Sequence, residues 1–332
     1  MRFAIFSLAF DGPVHFGEAS QGGGLEQAGM GYPADTLFSA LCTELSAEGA
    51  LADLARLREG VTSGRLLLSD LLPWQVVGDE MAYYLPRPVL QLARRAQQPL
   101  AYRETCAQAT ARKRAKKLKY LRASRLADFL RAMQADGRWE EETPEFGAQA
   151  LTERVNCRGA ASLPYFVGTF SFCADAGLYL LAGMEREEDQ DWLEELLRWL
   201  GWLGIGGKRS SGYGKFHLAE DVLSLDELGL YADDAALYRM LEDAAAPWQM
   251  TLSPLLPTRE EIPAVRQGSY ALRHVGGFVT EAAHAEKKRG VYLVEAGSCF
   301  RARPAGQVAV LGTSGGHEVL RYGKGLYVGV TV

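Results

Sequence analysis

The chain has 332 residues, 48% of them hydrophobic and 23% charged, which excludes collagen-like, low-complexity and wholly disordered proteins. At about 100–200 residues per domain, that length predicts two domains. Thirty-six basic against 41 acidic residues give a net charge of −5, which excludes an evenly basic surface but leaves room for a locally basic face.

Met1–Phe10 holds one basic residue and an apolar run that stops at Asp11-Gly12-Pro13, without the small-residue cleavage site of a secretory signal. No stretch approaches the ~18 apolar residues of a membrane span. Cys42, Cys106, Cys157, Cys173 and Cys299 are odd in number, far apart and free of any C-x-x-C pair. The expected setting is the cytoplasm, with reduced thiols and no membrane partner.

Arg2–Phe10 reads as a strand from its aromatic and β-branched content. A loop follows to Pro33, with Gly22-Gly-Gly24 through Gly31 too poor in side chains to pack by itself. Pro33-Ala-Asp35 opens a helix, with the Asp35 carboxylate placed to cap it and Leu37, Leu41 and Leu45 at helical spacing. Strands are expected at Arg65–Leu68 and Met81–Leu85. From Arg87 to Arg125 there are 12 basic residues against one acid, Glu104, and Arg112–Arg125 reads as a helix. Such asymmetry suits nucleic acid or an acidic partner surface, although a solvated helix is the plainer alternative.

Strands at Tyr165–Phe172 and Leu178–Leu181 lead to an amphipathic helix over Asp189–Leu200, its apolar side being Trp192, Leu193, Leu196, Leu197 and Leu200. Glu220–Asp243 carries eight acids and one base, and reads as a solvated connector. Short strands return at Ser269–His274, Val291–Glu295, Val308–Leu311 and Leu326–Val332. With the basic middle treated as an insertion, the first ~215 residues follow the β-α-β-β-α-β order of the ferredoxin-like fold. The expected class is α+β. An N-terminal ferredoxin-like domain would span 1–218 with an insertion at about 87–150. An acidic connector would occupy 219–245, and a reduced ferredoxin-like domain 246–332.

Gly204–Gly214 has five glycines in eleven positions, with Lys208, Arg209, Ser210 and Ser211 among them and Lys215 just beyond. Such a backbone can adopt positive φ and approach a ligand closely, while its N–H groups, hydroxyls and cations suit a polyanion. A P-loop is ruled out because Arg209 follows Lys208 and Trp202 stands where the first glycine belongs; no G-x-G-x-x-G register fits either. A turn that merely joins helix to strand is the plain alternative.

The run Gly206-Gly-Lys-Arg-Ser-Ser-Gly212 and the following Tyr213-Gly-Lys-Phe216 closely resemble the glycine-rich loop of RAMP-superfamily proteins in CRISPR effector complexes. His15-Phe-Gly-Glu18, Asp35-Thr-Leu-Phe-Ser-Ala-Leu-Cys42, Tyr83-Tyr-Leu-Pro-Arg-Pro88, Tyr165-Phe-Val-Gly168, Gly276-Gly-Phe-Val279 and Arg321-Tyr-Gly323 resemble the fourth-subunit family of type III-A (Csm) complexes. The resemblance implies a non-enzymatic assembly subunit with two ferredoxin-like (RRM-like) domains. It implies that the subunit holds the repeat-derived 5′ tag of the crRNA and bridges the large signalling subunit to the backbone subunit. Gly206, Gly207, Lys208, Arg209, Ser210, Ser211 and Gly212 carry over as tag-contacting residues, with His15, Phe16 and Gly17 as a neighbouring segment. Lys116, Lys117 and Lys119 of the basic insertion join them as candidate RNA contacts, since other members project an insertion as a thumb.

A loop that clamps phosphates supplies affinity, and base recognition needs aromatic platforms, for which Phe16, Tyr213 and Tyr322 are candidates beside a core-packing alternative. Related RAMP endoribonucleases use a histidine near the N-terminal domain, so a crRNA-processing nuclease with His15 as base is the competing reading. No H-E-x-x-H, carboxylate cluster or G-x-S-x-G elbow stands out, so neither a metal nor a cofactor is expected.

Overall fold

The computed structural model describes residues 1–17, 24–92, 101–139, 141, 143–158, 161–277, 288–314 and 317–332. Glu18, Gly22, Gly23, Arg94, Arg95, Phe278, Val279 and His284 lie outside them. The first part runs β1 (Arg2–Phe10), α1 (Ala34–Ala47), α2 (Leu51–Ser63), β2 (Leu66–Leu68), β3 (Leu72–Val77) and β4 (Glu80–Pro86). Next come α3 (Tyr102–Lys117), β5 (Tyr120–Arg122), α4 (Leu126–Ala135), β6 (Gly147–Arg158), β7 (Ala161–Phe172) and β8 (Ala176–Met184). Then follow α5 (Glu188–Leu203), β9 (Phe216–Leu218), β10 (Leu223–Ser224), α6 (Ala232–Glu242), β11 (Trp248–Thr251) and α7 (Ile262–Val265). The last elements are β12 (Leu272–Val275), β13 (Val291–Val294), β14 (Cys299–Phe300), β15 (Ala309–Ser314), β16 (His317–Arg321) and β17 (Tyr327–Val330).

The fold is α+β with antiparallel sheets. β1 lies between β8 on one side and β9 and β10 on the other, and β8 in turn pairs with β2 and β3. With α1 and α2 after the first strand and α5 before β9, this is the ferredoxin-like order. β4 and β5 widen the sheet beyond β3.

β1 is apolar on both faces because both are covered. Ala4, Phe6 and Leu8 enter the core under α1, α2 and α5, while Phe3 and Ile5 enter a second core on the opposite face. That second core also contains Leu121 and Phe129 of the inserted segment, Leu237 and Leu241 of α6, and Met250 and Val328 of the C-terminal sheet. In that sheet β11 is central, with β17 and β14 beside it and Ser269 bridged to Cys299 beyond. A four-residue helix, α7, and the hairpins β12–β13 and β15–β16 complete the C-terminal half. Among the described residues, no helix is long and apolar enough to cross a membrane.

Three expectations change. The basic run is not one helix: α3 ends at Lys117, Leu118 is extended and β5 follows, because Leu118 and Leu121 are drawn into the second core. The end of the expected insertion, residues 147–150, is instead the start of a twelve-residue strand, β6, paired along its length with β7. The acidic stretch is not solvated throughout, since Asp233 and Asp234 at the start of α6 are buried. Asp233 accepts backbone N–H groups from Tyr83 and Ser124 and pairs with Arg122, while Asp234 accepts those of Leu230 and Tyr231.

Candidate nucleic-acid interface

The glycine loop connects α5 to β9 and is closed at its neck by backbone pairing. Ile205 N–H donates to Gly214 O (2.9 Å), and Gly214 N–H donates to Pro13 O (3.0 Å). Gly204, Gly206, Gly212 and Gly214 have positive φ, and so does Lys208 (φ 61°), the one such non-glycine among the described residues. Between them Arg209–Ser211 forms a single 3-10 turn. Ser210, Ser211 and Gly212 stand exposed at the tip.

The loop is seated on the segment that carries His15, Phe16 and Gly17. Gly207 N–H donates to His15 O (2.9 Å). A Cβ at Gly206 would lie 2.7 Å from Phe16 Cδ1, and one at Gly207 would lie 2.5 Å from His15 Cδ2. His15 Nδ1 donates to Gly168 O at 2.7 Å, a carbonyl being able only to accept. Lys208 Nζ sits 5.0 Å from the centre of the Tyr165 ring, a cation–π contact. Two stretches about 150 and 190 residues downstream of His15 therefore meet it in space.

Beside this junction opens a cleft of about 1350 Å³. His15, Phe16, Gly17, Gly206, Gly207 and Arg209 line it, together with Lys117 and Lys119 from the end of α3 and beyond. Lys116 is exposed but does not line the cleft, and neither do Lys208, Ser210, Ser211 and Gly212. Sequence reasoning missed the contribution of the C-terminal half, where Arg273, Lys288 and Arg321 also line it. Of these only Arg321 lay in a noticed motif. Arg273 and Lys288 carry no local pattern that could have flagged them.

Several cations are already engaged. Arg209 Nη1 pairs with Glu44 Oε1 of α1 at 2.5 Å. Arg122 and Arg125 are held by Asp233 and by Asp128 and Glu141, and Arg112 Nε donates to Asp136 O. Three of the eight basic residues between 112 and 125 are therefore structural, whereas Lys117 and Lys119 are exposed.

Asp35 does not cap α1, in contrast to the sequence expectation. Its carboxylate is fully buried and receives Arg273 (3.0 Å) and Arg321 (2.8 Å) from the C-terminal half. The N–H of Ala34 is taken instead by Asp70 Oδ1 at 2.8 Å. Burial, helped by the neighbouring Asp35 charge, pushes the Asp70 carboxyl up to about 7 against that hydrogen bond. A carboxyl that ionises later in the folded state than at the unfolded ~3.9 makes stability fall as pH rises from about 4 through about 7. Asp70→Asn keeps the acceptor and removes the titration. Thermal melts should show it equal to the wild type near pH 4 and more stable at pH 8 by about 2 kcal/mol, solvent at the cleft mouth tempering the full effect.

None of the three proposed base platforms is free. Phe16 is 3% exposed within a ring cluster with Phe10 and Tyr32. Tyr322 is 0% exposed, and its hydroxyl bonds both the N–H and the carbonyl of Leu68. Tyr213 is buried, with its hydroxyl accepting from Arg154. Their aromatic content serves the core. Among the described residues no cluster of three or more histidine, cysteine or acidic side chains could hold a metal ion.

Residues 117–217 match the family model of the RAMP superfamily, and residues 244–330 match the CRISPR Csm4 C-terminal domain. The CRISPR system Cms protein Csm4 of Mycobacterium tuberculosis (strain CDC 1551 / Oshkosh) is 31% identical over 99% of this chain and 98% of its own length. The protein of the same name from Streptococcus thermophilus is 28% identical over 98% of each. Among solved structures, the chain is similar to one in a Csm3-Csm4 subcomplex of the type III-A CRISPR-Cas interference complex (TM-score 0.62, 16% identity, 100% of both chains). It is also similar to one in a Csm1-Csm4 cassette in complex with AMPPNP (TM-score 0.56, 20% identity, 100% of this chain and 99% of that one). At those identities the structural likeness speaks for the fold.

Proposed function

The chain belongs to the Csm4 family of the RAMP superfamily, and we propose that it is the crRNA-binding subunit of a type III-A effector complex that holds the repeat-derived 5′ tag. In this role it joins the large signalling subunit to the backbone subunits in the cytoplasm and has no catalytic centre of its own. The relatives solved together with Csm1 and with Csm3 support that placement.

The observation that carries the reading is the seating of the glycine loop. Its backbone rests on the His15–Phe16 segment beside a cleft of about 1350 Å³, above the ~300–1000 Å³ of ordinary small-molecule sites. The two exposed serines at the tip, Ser210 and Ser211, and the Lys208 ammonium suit a phosphodiester backbone. His15 is 7% exposed with one ring nitrogen committed to Gly168, which supports a positioning role for it over that of a nuclease base. For the thumb-like element of the family, the β6–β7 hairpin is a better match than α3. It leaves Leu151, Val155, Leu163 and Phe166 exposed, as a wedge against bases requires.

The test is the double variant Lys208→Ala, Arg209→Ala. Each phosphate neutralised contributes about 0.7 to the slope of log affinity against log salt for single strands, so losing two contacts should lower the slope by about 1.4. Titrations of a short poly-U RNA at several salt concentrations read this directly. An unchanged slope and affinity would overturn the assignment of the loop.

A further inference from the structure

We propose that Arg273, Lys288 and Arg321 form a second phosphate seat, on the wall of the cleft contributed by the C-terminal half, that takes a backbone phosphate of the same RNA strand. This rests on the RNA-holding role proposed above.

Arg321 is 7% exposed, and its Nη1 is satisfied by Asp35. Its Nε–H is buried and has no hydrogen-bond partner among the described residues. Buried donors are almost always paired, and leaving one unmade costs about 1–3 kcal/mol. The residue also lines a large open cleft, so an arriving oxyanion is the natural acceptor. A guanidinium gripped on one side by a carboxylate and unpartnered at Nε keeps a donor for a second anion.

Lys288 makes the same point from a different direction. Its half-buried ammonium forms no ion pair with the described residues and lies near enough to Arg321 for the two charges to repel. Burial and that repulsion push its pKa down, the mark of a cation that lacks a counter-charge. Asp35 is shared between two arginines, and Asp70 beside it is only partly ionised near neutral pH. Glu295 lines the cleft as well, so the seat is not purely basic.

A phosphate group could come from an RNA strand or from a free nucleotide. The strand is favoured because the glycine loop, Lys117 and Lys119 line the same continuous space. A polymer can engage all of them at once, and a mononucleotide cannot fill it.

The test uses the full-length protein, a short poly-U RNA and, separately, ATP. Lys288→Gln removes a cation that forms no ion pair with the described residues, and Arg321→Lys retains a charge for Asp35 but loses the Nε donor. Both should weaken RNA binding several-fold, and Lys288→Gln should lower the salt slope by about 0.7 with little change in melting temperature. Wild-type affinity and slope in both variants, with the Lys208/Arg209 double variant impaired, would refute the seat and leave the role of the loop standing. Unchanged binding in all three would remove the RNA-holding role itself. Weaker ATP binding with intact RNA binding would overturn the strand assignment in favour of a nucleotide.

Discussion

Asp233→Ala is expected to destabilise the protein by about 3–5 kcal/mol, the cost of breaking a buried ion pair from one side. Asp233 is 0% exposed. Its Oδ2 receives Arg122 Nε (3.0 Å) and Nη2 (2.9 Å) and Tyr83 N–H (3.3 Å), and its Oδ1 receives Ser124 N–H (2.8 Å). Truncation leaves a partly buried guanidinium and two interior N–H groups without an acceptor. The carboxylate also fastens α6 to β4 and to the turn between β5 and α4, so its loss loosens the cover over the second core. Urea titration measures the effect through the midpoint. A change below about 0.5 kcal/mol, the size expected for an ordinary surface substitution, would show that the cluster does not hold these elements together.

The second large effect falls on the neck of the glycine loop. A Cβ at Gly214 would lie 1.9 Å from Ile205 O, a backbone atom fixed by the pairing that closes the loop, at a φ of +75°. Gly214→Ala must therefore open the neck and release the His15 segment from the loop. RNA affinity should fall by more than tenfold and the melting temperature should drop. Gly212→Ala is the control, because its φ is similarly positive (+84°) but nothing lies within 4 Å of the added methyl. In the free protein it carries only the strain of a left-handed residue, about 1–2 kcal/mol, so the two variants are compared by melting temperature. Equal effects from the two substitutions would mean that backbone strain, and not the tightness of the neck, governs the loop.

What the sequence revealed follows from how local each determinant is. Leu37, Leu41 and Leu45, and the apolar side of α5, mark their elements because helical spacing is a short-range property, and all of these residues are buried. β1 was readable because covering both faces demands a continuous apolar run. The glycine loop announced itself by composition. Long-range partners left no such trace. Asp35 looked like a helix cap until Arg321, 286 positions away, proved to be its partner. Asp233 looked solvated because its three partners lie about 110 to 150 positions upstream. Phe16, Tyr213 and Tyr322 sit beside charged and glycine-rich residues, a context shared by a base platform and by a core ring that pins a loop. Only burial separates the two. The convergence of Tyr165 and Gly168 on Lys208 and His15 gives motifs that looked independent a single spatial reason.

The shared second core also constrains how the protein comes to be made. Phe3, Ile5 and Tyr179 are covered by Leu237, Met250 and Val328, which are translated last. At about 5–20 residues per second, β17 leaves the ribosome on the order of ten seconds after β9. For that interval the nascent sheet is fully paired at its centre yet covered on one side only in part, by Leu121, Phe129 and their neighbours, which leaves an adhesive surface in a crowded cell. A polypeptide halted after β9 would keep that surface for good. It should accumulate in inclusion bodies or on chaperones and not persist as a working half.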